Sequence, residues 1–270
     1  MPQIQLPSIR LYYEERGTGV PILLCHGTSS DAGNWGPAID ELARFGRVIS
    51  YDRRGCTRSE RPVPYERTTP AEHADDAAAL LEALDATPAI VIGRSYGGDT
   101  MLNLAVRYPE HVQALVLLEG GDVYLSETIP ELSSFLDELT AQIRAAVATS
   151  GPTAAAEALL RAVLGDDGYD ALPVDKRVRT EANGPAIVAE IDGYRDDLFD
   201  PARLLEVSCP TLVVAAMVSP EPFRRAMEAL ATILPDARLA LVEGGHLITP
   251  AEPAVLAFIQ EVLARIPVAP

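Results

Sequence analysis

Ala89-Ile90-Val91-Ile92-Gly93-Arg94-Ser95-Tyr96-Gly97-Gly98 is the stretch that decides the fold. The run AIVIG is short, apolar and rich in β-branched residues, which predicts a buried strand. A helical pattern begins directly after it, over Tyr96–Tyr108. A serine set between strand and helix, with glycines two before and two after, matches G-x-S-x-G. Such a turn strains the serine backbone, and only small neighbours keep it free of clashes. It lifts the hydroxyl above the sheet edge and points the helix N-terminus at an oxyanion forming there. Ser95 is therefore the candidate nucleophile, for attack on a carbonyl carbon. The alternative, a glycine-rich connection with no chemistry, leaves the strand–serine–helix order unexplained.

Outward from this turn, the chain alternates strands and helices. Ile9–Glu14, Val20–His26, Arg47–Asp52 and Gln113–Glu119 read as strands, Asn34–Arg44 and Pro70–Ala86 as helices. The β-α-β alternation predicts an α/β fold with a mostly parallel sheet covered by helices on both faces. From Asp122 to Asp200 only helical patterns follow, over Glu131–Thr149, Thr153–Leu164, Val174–Ala182 and Ala186–Asp192, broken by glycine and proline. The sheet pattern resumes with Pro210–Ala216, a helix over Glu221–Ile233, a strand over Arg238–Val242 and a final helix over Glu252–Arg265. The expectation is one domain whose core spans residues 1–121 and 201–270, with a helical cap inserted over 122–200.

The 270 residues carry a net charge of −17, which disfavours nucleic acid and anionic membranes as partners. Among 22 basic residues Lys176 is the single lysine. Cys25, Cys56 and Cys209 are too scattered for a disulfide framework or a Cys-rich metal site, and fit a reducing compartment. No signal peptide and no membrane-length apolar run is apparent, so a cytoplasmic location is expected. Neither cofactor nor metal is expected, and a monomer or homodimer fits equally well.

Serine needs a neutral imidazole to take its proton. Of His26, His73, His111 and His246, the last lies on a glycine-flanked loop beyond the final strand. His73 and His111 read as solvent-facing residues at helix ends.

With these motifs in place, the chain resembles the α/β-hydrolase superfamily over nearly its full length. His26-Gly27 resembles the family's HG motif, with Trp35 beyond it. Asp52–Ser59 resembles its D-x-R-G-x-G-x-S loop, although Cys56-Thr57 stand where a second glycine is usual. Gly93–Gly97 is the nucleophile elbow, and Gly244-Gly245-His246 resembles the loop bearing the catalytic histidine. The resemblance implies that His246 is the base, that His26 organises its loop, and that the amides of Thr28 and Tyr96 form the oxyanion hole.

One departure is informative. Relatives usually carry the triad acid just after the seventh strand, where this chain has Val218-Ser219. A second location used in the superfamily is the end of the sixth strand, occupied here by Glu119 in LVLLEGGD. Glu119 is thus the candidate acid, with Asp122 next and Glu221 further off. The placement resembles that of fungal zearalenone lactonases, while HGTSS and DRRGCTRS look more like bacterial esterases.

A small hydrophobic ester or lactone, bound between sheet edge and cap, is the expected substrate. Trp35, Arg94, Tyr124, Phe135 and Leu247 are candidate substrate contacts, in an apolar pocket with few charges. Leu125, Leu136, Leu139, Leu164 and Tyr194 are further candidates. The rival readings are a C–C bond hydrolase or lyase acting on a natural product, and a catalytically idle ligand-binding relative.

Overall fold

The computed structural model describes residues 2–266; Met1 and residues 267–270, at the outer ends of the expected core, lie outside them. Eight strands form one sheet: β1 (Gln3–Gln5), β2 (Arg10–Arg16), β3 (Pro21–Cys25), β4 (Arg47–Tyr51), β5 (Ala89–Arg94), β6 (Val112–Leu118), β7 (Thr211–Ala216) and β8 (Ala237–Val242). Their order is β1-β2-β4-β3-β5-β6-β7-β8, with β1 and β2 antiparallel and the rest parallel. The α/β-hydrolase fold expected from the motifs is the fold observed. β5, which carries the elbow, lies near the middle of the sheet, so its C-terminal end is rigidly framed on both sides.

Period-two alternation sends successive side chains to opposite faces. Leu23, Val91, Leu115, Leu117 and Val213 pack beneath α2 (Pro70–Ala83), α3 (Tyr96–Arg107) and α8 (Glu221–Ile233). Ile22, Leu24, Ile90, Ile92, Val116 and Val214 pack on the other face, against α9 (Pro253–Arg265) and Leu42. The parallel strands are buried on both faces, and for this reason they read as continuous apolar runs.

The expected helix over 34–44 is divided. A 3-10 turn covers Ala32–Trp35 and a short α1 covers Ala38–Leu42, because Gly36 takes a positive φ of 51° just before Pro37. The segment after β6 is helical as read: α4 (Pro130–Ser150), α5 (Ala154–Asp170), α6 (Val174–Ala182) and α7 (Gly184–Gly193). α5 runs past its expected end, and Gly165, at φ 75°, kinks it. These helices have a small apolar centre of their own around Leu139, Ile143, Leu159 and Ile187. Asn183 ties them to the sheet edge: its Nδ2 donates to Ser30 O at 3.0 Å, and its Oδ1 accepts from Thr57 N at 2.8 Å. Thr57 itself, at φ 38°, adopts the left-handed conformation for which a glycine is usual.

Candidate active site

Ser95 sits between β5 and α3 with φ 54° and ψ −128°, the strained backbone that the elbow motif requires. The glycines around it are sterically enforced. A Cβ on Gly93 would lie 2.1 Å from Gly97 O, and one on Gly97 would lie 2.2 Å from Cys25 O. The turn is held to the next strand by Ser95 N–H donating to Leu118 O at 3.1 Å. The amides of Thr28 and Tyr96 donate to no protein acceptor among the described residues, and both residues line the cavity that holds Ser95. Two free amides beside a candidate nucleophile have the composition of an oxyanion hole.

Glu119 follows β6 directly, at φ 45°, and is completely buried. Its Oε2 accepts from His246 Nδ1 at 2.8 Å and from the Ser219 hydroxyl at 2.7 Å; its Oε1 accepts from Ala216 N at 2.7 Å. A carboxylate meeting three donors is an acceptor only, so Nδ1 of His246 carries a proton and Nε2 is left free. Phe223 stacks on the imidazole with ring centroids 5.2 Å apart, fixing its plane. His246 and Ser95 line the same cavity but form no hydrogen bond with each other. Catalytic hydrogen bonds are commonly long until substrate is bound. Asp122 is buried at the cavity wall and makes no hydrogen bond with His246; Glu221 is exposed. Of the candidate acids the structure brings only Glu119 to the histidine.

Sequence reasoning missed Ser219 and Phe223. Ser219 occupies the place where the resemblance puts the acid, and here its hydroxyl donates to the Glu119 carboxylate. That departure was a signal, but it gave no hint of the partner, 100 residues away in sequence.

His26 is fully buried and bridges its own loop: Nδ1 donates to Gly27 O at 2.8 Å while Nε2 accepts from Arg53 N at 3.0 Å. Burial and the Arg53 charge lower its pKa well below the usual range, so it stays neutral. His73 and His111 are buried rather than solvent-facing. His73 packs edge-on against Tyr96 and bonds Thr68, and His111 lies against Tyr108 and Glu82.

The cavity and its open mouth together take in roughly 970 Å³, open solvent included. Leu136, Leu139, Leu159, Leu164, Ile191 and Phe223 supply much of its apolar wall. Arg94 and Leu247 line it as expected, whereas Trp35, Tyr124, Leu125 and Phe135 do not. Trp35 is taken up by stacking under the Arg94 guanidinium, Tyr124 by stacking with Phe199, and Phe135 by an edge-to-face contact with Phe223. The expectation of few charges is also corrected: Arg94, Lys176, Asp122 and Glu190 all reach the wall.

A sequence model of the α/β-hydrolase fold family matches residues 20–253, most of the chain. The chain belongs to the α/β-hydrolase family. This α/β-hydrolase is 26% identical over 262 residues to a 2-(acetamidomethylene)succinate hydrolase of Mesorhizobium japonicum, a match covering 94% of this chain and 91% of the other. The curated relatives are covered unevenly, several of them over half their length or less. Among solved structures, a thermophilic esterase from Thermogutta terrifontis superposes with a TM-score of 0.76 at 25% identity, covering 97% of this chain and 99% of that one. An N-acyl homoserine lactone degrading enzyme superposes with a TM-score of 0.73 at 26% identity, covering 98% and 100%. Among the described residues of the hydrolase, no helix is long and apolar enough to cross a membrane.

Proposed function

We propose that this α/β-hydrolase cleaves a carboxylic ester or lactone through an acyl-enzyme on Ser95. The observation that carries the reading is the 2.8 Å contact between Glu119 Oε2 and His246 Nδ1, made at the cavity that holds Ser95 on its strained elbow. The Glu119 carboxylate fixes the imidazole tautomer, so Nε2 takes the Ser95 proton as Oγ attacks the carbonyl carbon. The Thr28 and Tyr96 amides hold the resulting oxyanion. His246, now charged and stabilised by Glu119, returns the proton to the leaving alkoxide. The same residue then activates water, which cleaves the acyl-enzyme and restores the Ser95 hydroxyl. Helices α4–α7 act as the cap, supplying the apolar wall over the acyl chain.

An esterase and a lactone-degrading enzyme among the structural relatives support this bond class. The absent seventh-strand aspartate was the main argument for an idle relative, and Glu119 takes its place at His246. The test is labelling by a fluorophosphonate probe together with turnover of p-nitrophenyl esters. Labelling and turnover in the native chain, both lost in Ser95→Ala, are expected. No labelling of Ser95 and no turnover would end the reading.

A further inference from the structure

Arg94 is a buried cation that the mechanism does not use. Its side chain is 7% exposed, yet no carboxylate of the described residues lies within salt-bridge distance of it. Its one hydrogen bond runs from Nη1 to Ile248 O at 3.3 Å, and its guanidinium lies over Trp35 at 4.7 Å. Nε and Nη2 have no protein acceptor among the described residues, and neither is sealed from solvent. Burial alone pushes the guanidinium pKa down to about 10. Buried charges are normally paired, since desolvation of an unpaired ion is expensive. A cation left open beside a candidate nucleophile therefore has the character of a binding group awaiting its anion.

The rest of the wall agrees. Lys176, the only lysine of the chain, lines the same cavity, has no carboxylate within salt-bridge distance among the described residues, and lies near enough to Arg94 for the two charges to repel. The two carboxyls of the wall do not neutralise this pair. Glu190 is engaged by Arg53 at 2.8 Å, and burial beside Asp99 raises the Asp122 pKa well above the usual range. The cavity is thus apolar along α4 and α5 and positive where Arg94 and Lys176 line it.

We propose that the natural ester or lactone carries a carboxylate, received by Arg94 with Lys176 as a second positive charge. This rests on the serine-hydrolase reading. A guanidinium offers two parallel donors to a carboxylate, and such charge-assisted contacts are strong where water is scarce. The competing role for Arg94 is that of a strut holding Trp35 and the 246–248 loop.

The test compares matched esters that differ only in charge. On the acyl side these are mono-p-nitrophenyl adipate and p-nitrophenyl hexanoate; on the alcohol side, 4-acetoxybenzoate and its methyl ester. The readout is the ratio of kcat/KM, anionic over neutral, in the native chain, Arg94→Gln, Arg94→Lys and Lys176→Met. A loss common to both esters of a pair, as a strut would give, cancels in the ratio. The expected result is a native preference for the anionic ester in at least one pair. That preference should fall by roughly ten- to a hundredfold in Arg94→Gln, by less in Lys176→Met, and be partly kept in Arg94→Lys. Turnover of the neutral esters with no anionic preference in either pair, or a preference that Arg94→Gln leaves intact, overturns the proposal while the hydrolase reading stands. If neither ester turns over and Ser95 is not labelled, both fall together.

Discussion

Glu119 shows how much one side chain can be asked to do. It meets three donors, His246 Nδ1, the Ser219 hydroxyl and Ala216 N, with two oxygens. An amide in its place fails in either orientation, because its NH2 group must face a donor at one end. With that group turned to His246, the ring takes the wrong tautomer and Nε2 carries the proton. Glu119→Gln is therefore expected to lower kcat by about 10³- to 10⁴-fold, on the scale known for such tautomer errors. Asp122→Asn, at a residue that hydrogen-bonds neither His246 nor Glu119, should cost less than tenfold. Steady-state kinetics with a p-nitrophenyl ester checks both, and the reverse ranking would move the acid to Asp122. The carboxylate was legible in sequence because a charged residue ending an apolar run needs a reason. Ser219 and Phe223 were not legible, since their contacts arise only when β6, β7 and α8 are brought together.

At the scale of elements, the elbow is a packing of backbones. Gly120, just beyond β6, would place a Cβ 2.2 Å from Ser95 O and 2.7 Å from Gly98 Cα. These are main-chain atoms and cannot swing aside. Gly120→Ala should destabilise the protein by about 2–3 kcal/mol, the usual scale of forced overpacking, which for this size lowers Tm by roughly 5–10 °C. Ser95→Ala should leave Tm nearly unchanged, and so should Gly245→Ala, where an added Cβ meets nothing within 4 Å. Thermal melts of the three variants decide it. The parallel strands were readable from the sequence as apolar runs, because both their faces are covered. β1 went unread: three residues, Gln-Ile-Gln, are too few for an alternation to stand out. The helix expected over 34–44 failed for a local reason, as Gly36-Pro37 breaks the chain inside an otherwise helical pattern.

For the whole molecule, the decisive quantity is buried charge. Burial pushes Asp99 up to about 7, even though it accepts from Tyr194 Oη and from the amides of Gly121 and Val123, and burial beside it raises Asp122 well above the usual range as well. In the unfolded chain both titrate near 4. Between these values the folded state binds more protons than the unfolded one, so this pair's contribution to stability falls as pH rises from about 4 to 7. Asp122→Asn removes one buried carboxyl and relieves the other. The Tm of the variant minus that of the native chain should therefore grow more positive from pH 5 to pH 8. A difference that is flat or shrinks over that interval would contradict this account. Composition announced the acidic excess of the chain but not which carboxyls would be buried together. The fold and the Ser95 and His246 positions were written in local motifs; the charge map of the cavity was not, because Arg94, Asp122, Lys176 and Glu190 come from four separate segments.

The Ser219 hydroxyl on Glu119 has a consequence for descent. Two neighbouring strand ends, β6 and β7, both reach the His246 loop, so the acid can be handed from one to the other in two substitutions. A chain carrying Ser219→Asp with Glu119 kept would be the intermediate. Its two carboxylates would share a proton rather than both ionise, leaving one acceptor for the imidazole throughout. A path through such a chain would keep an acceptor beside His246 at each step.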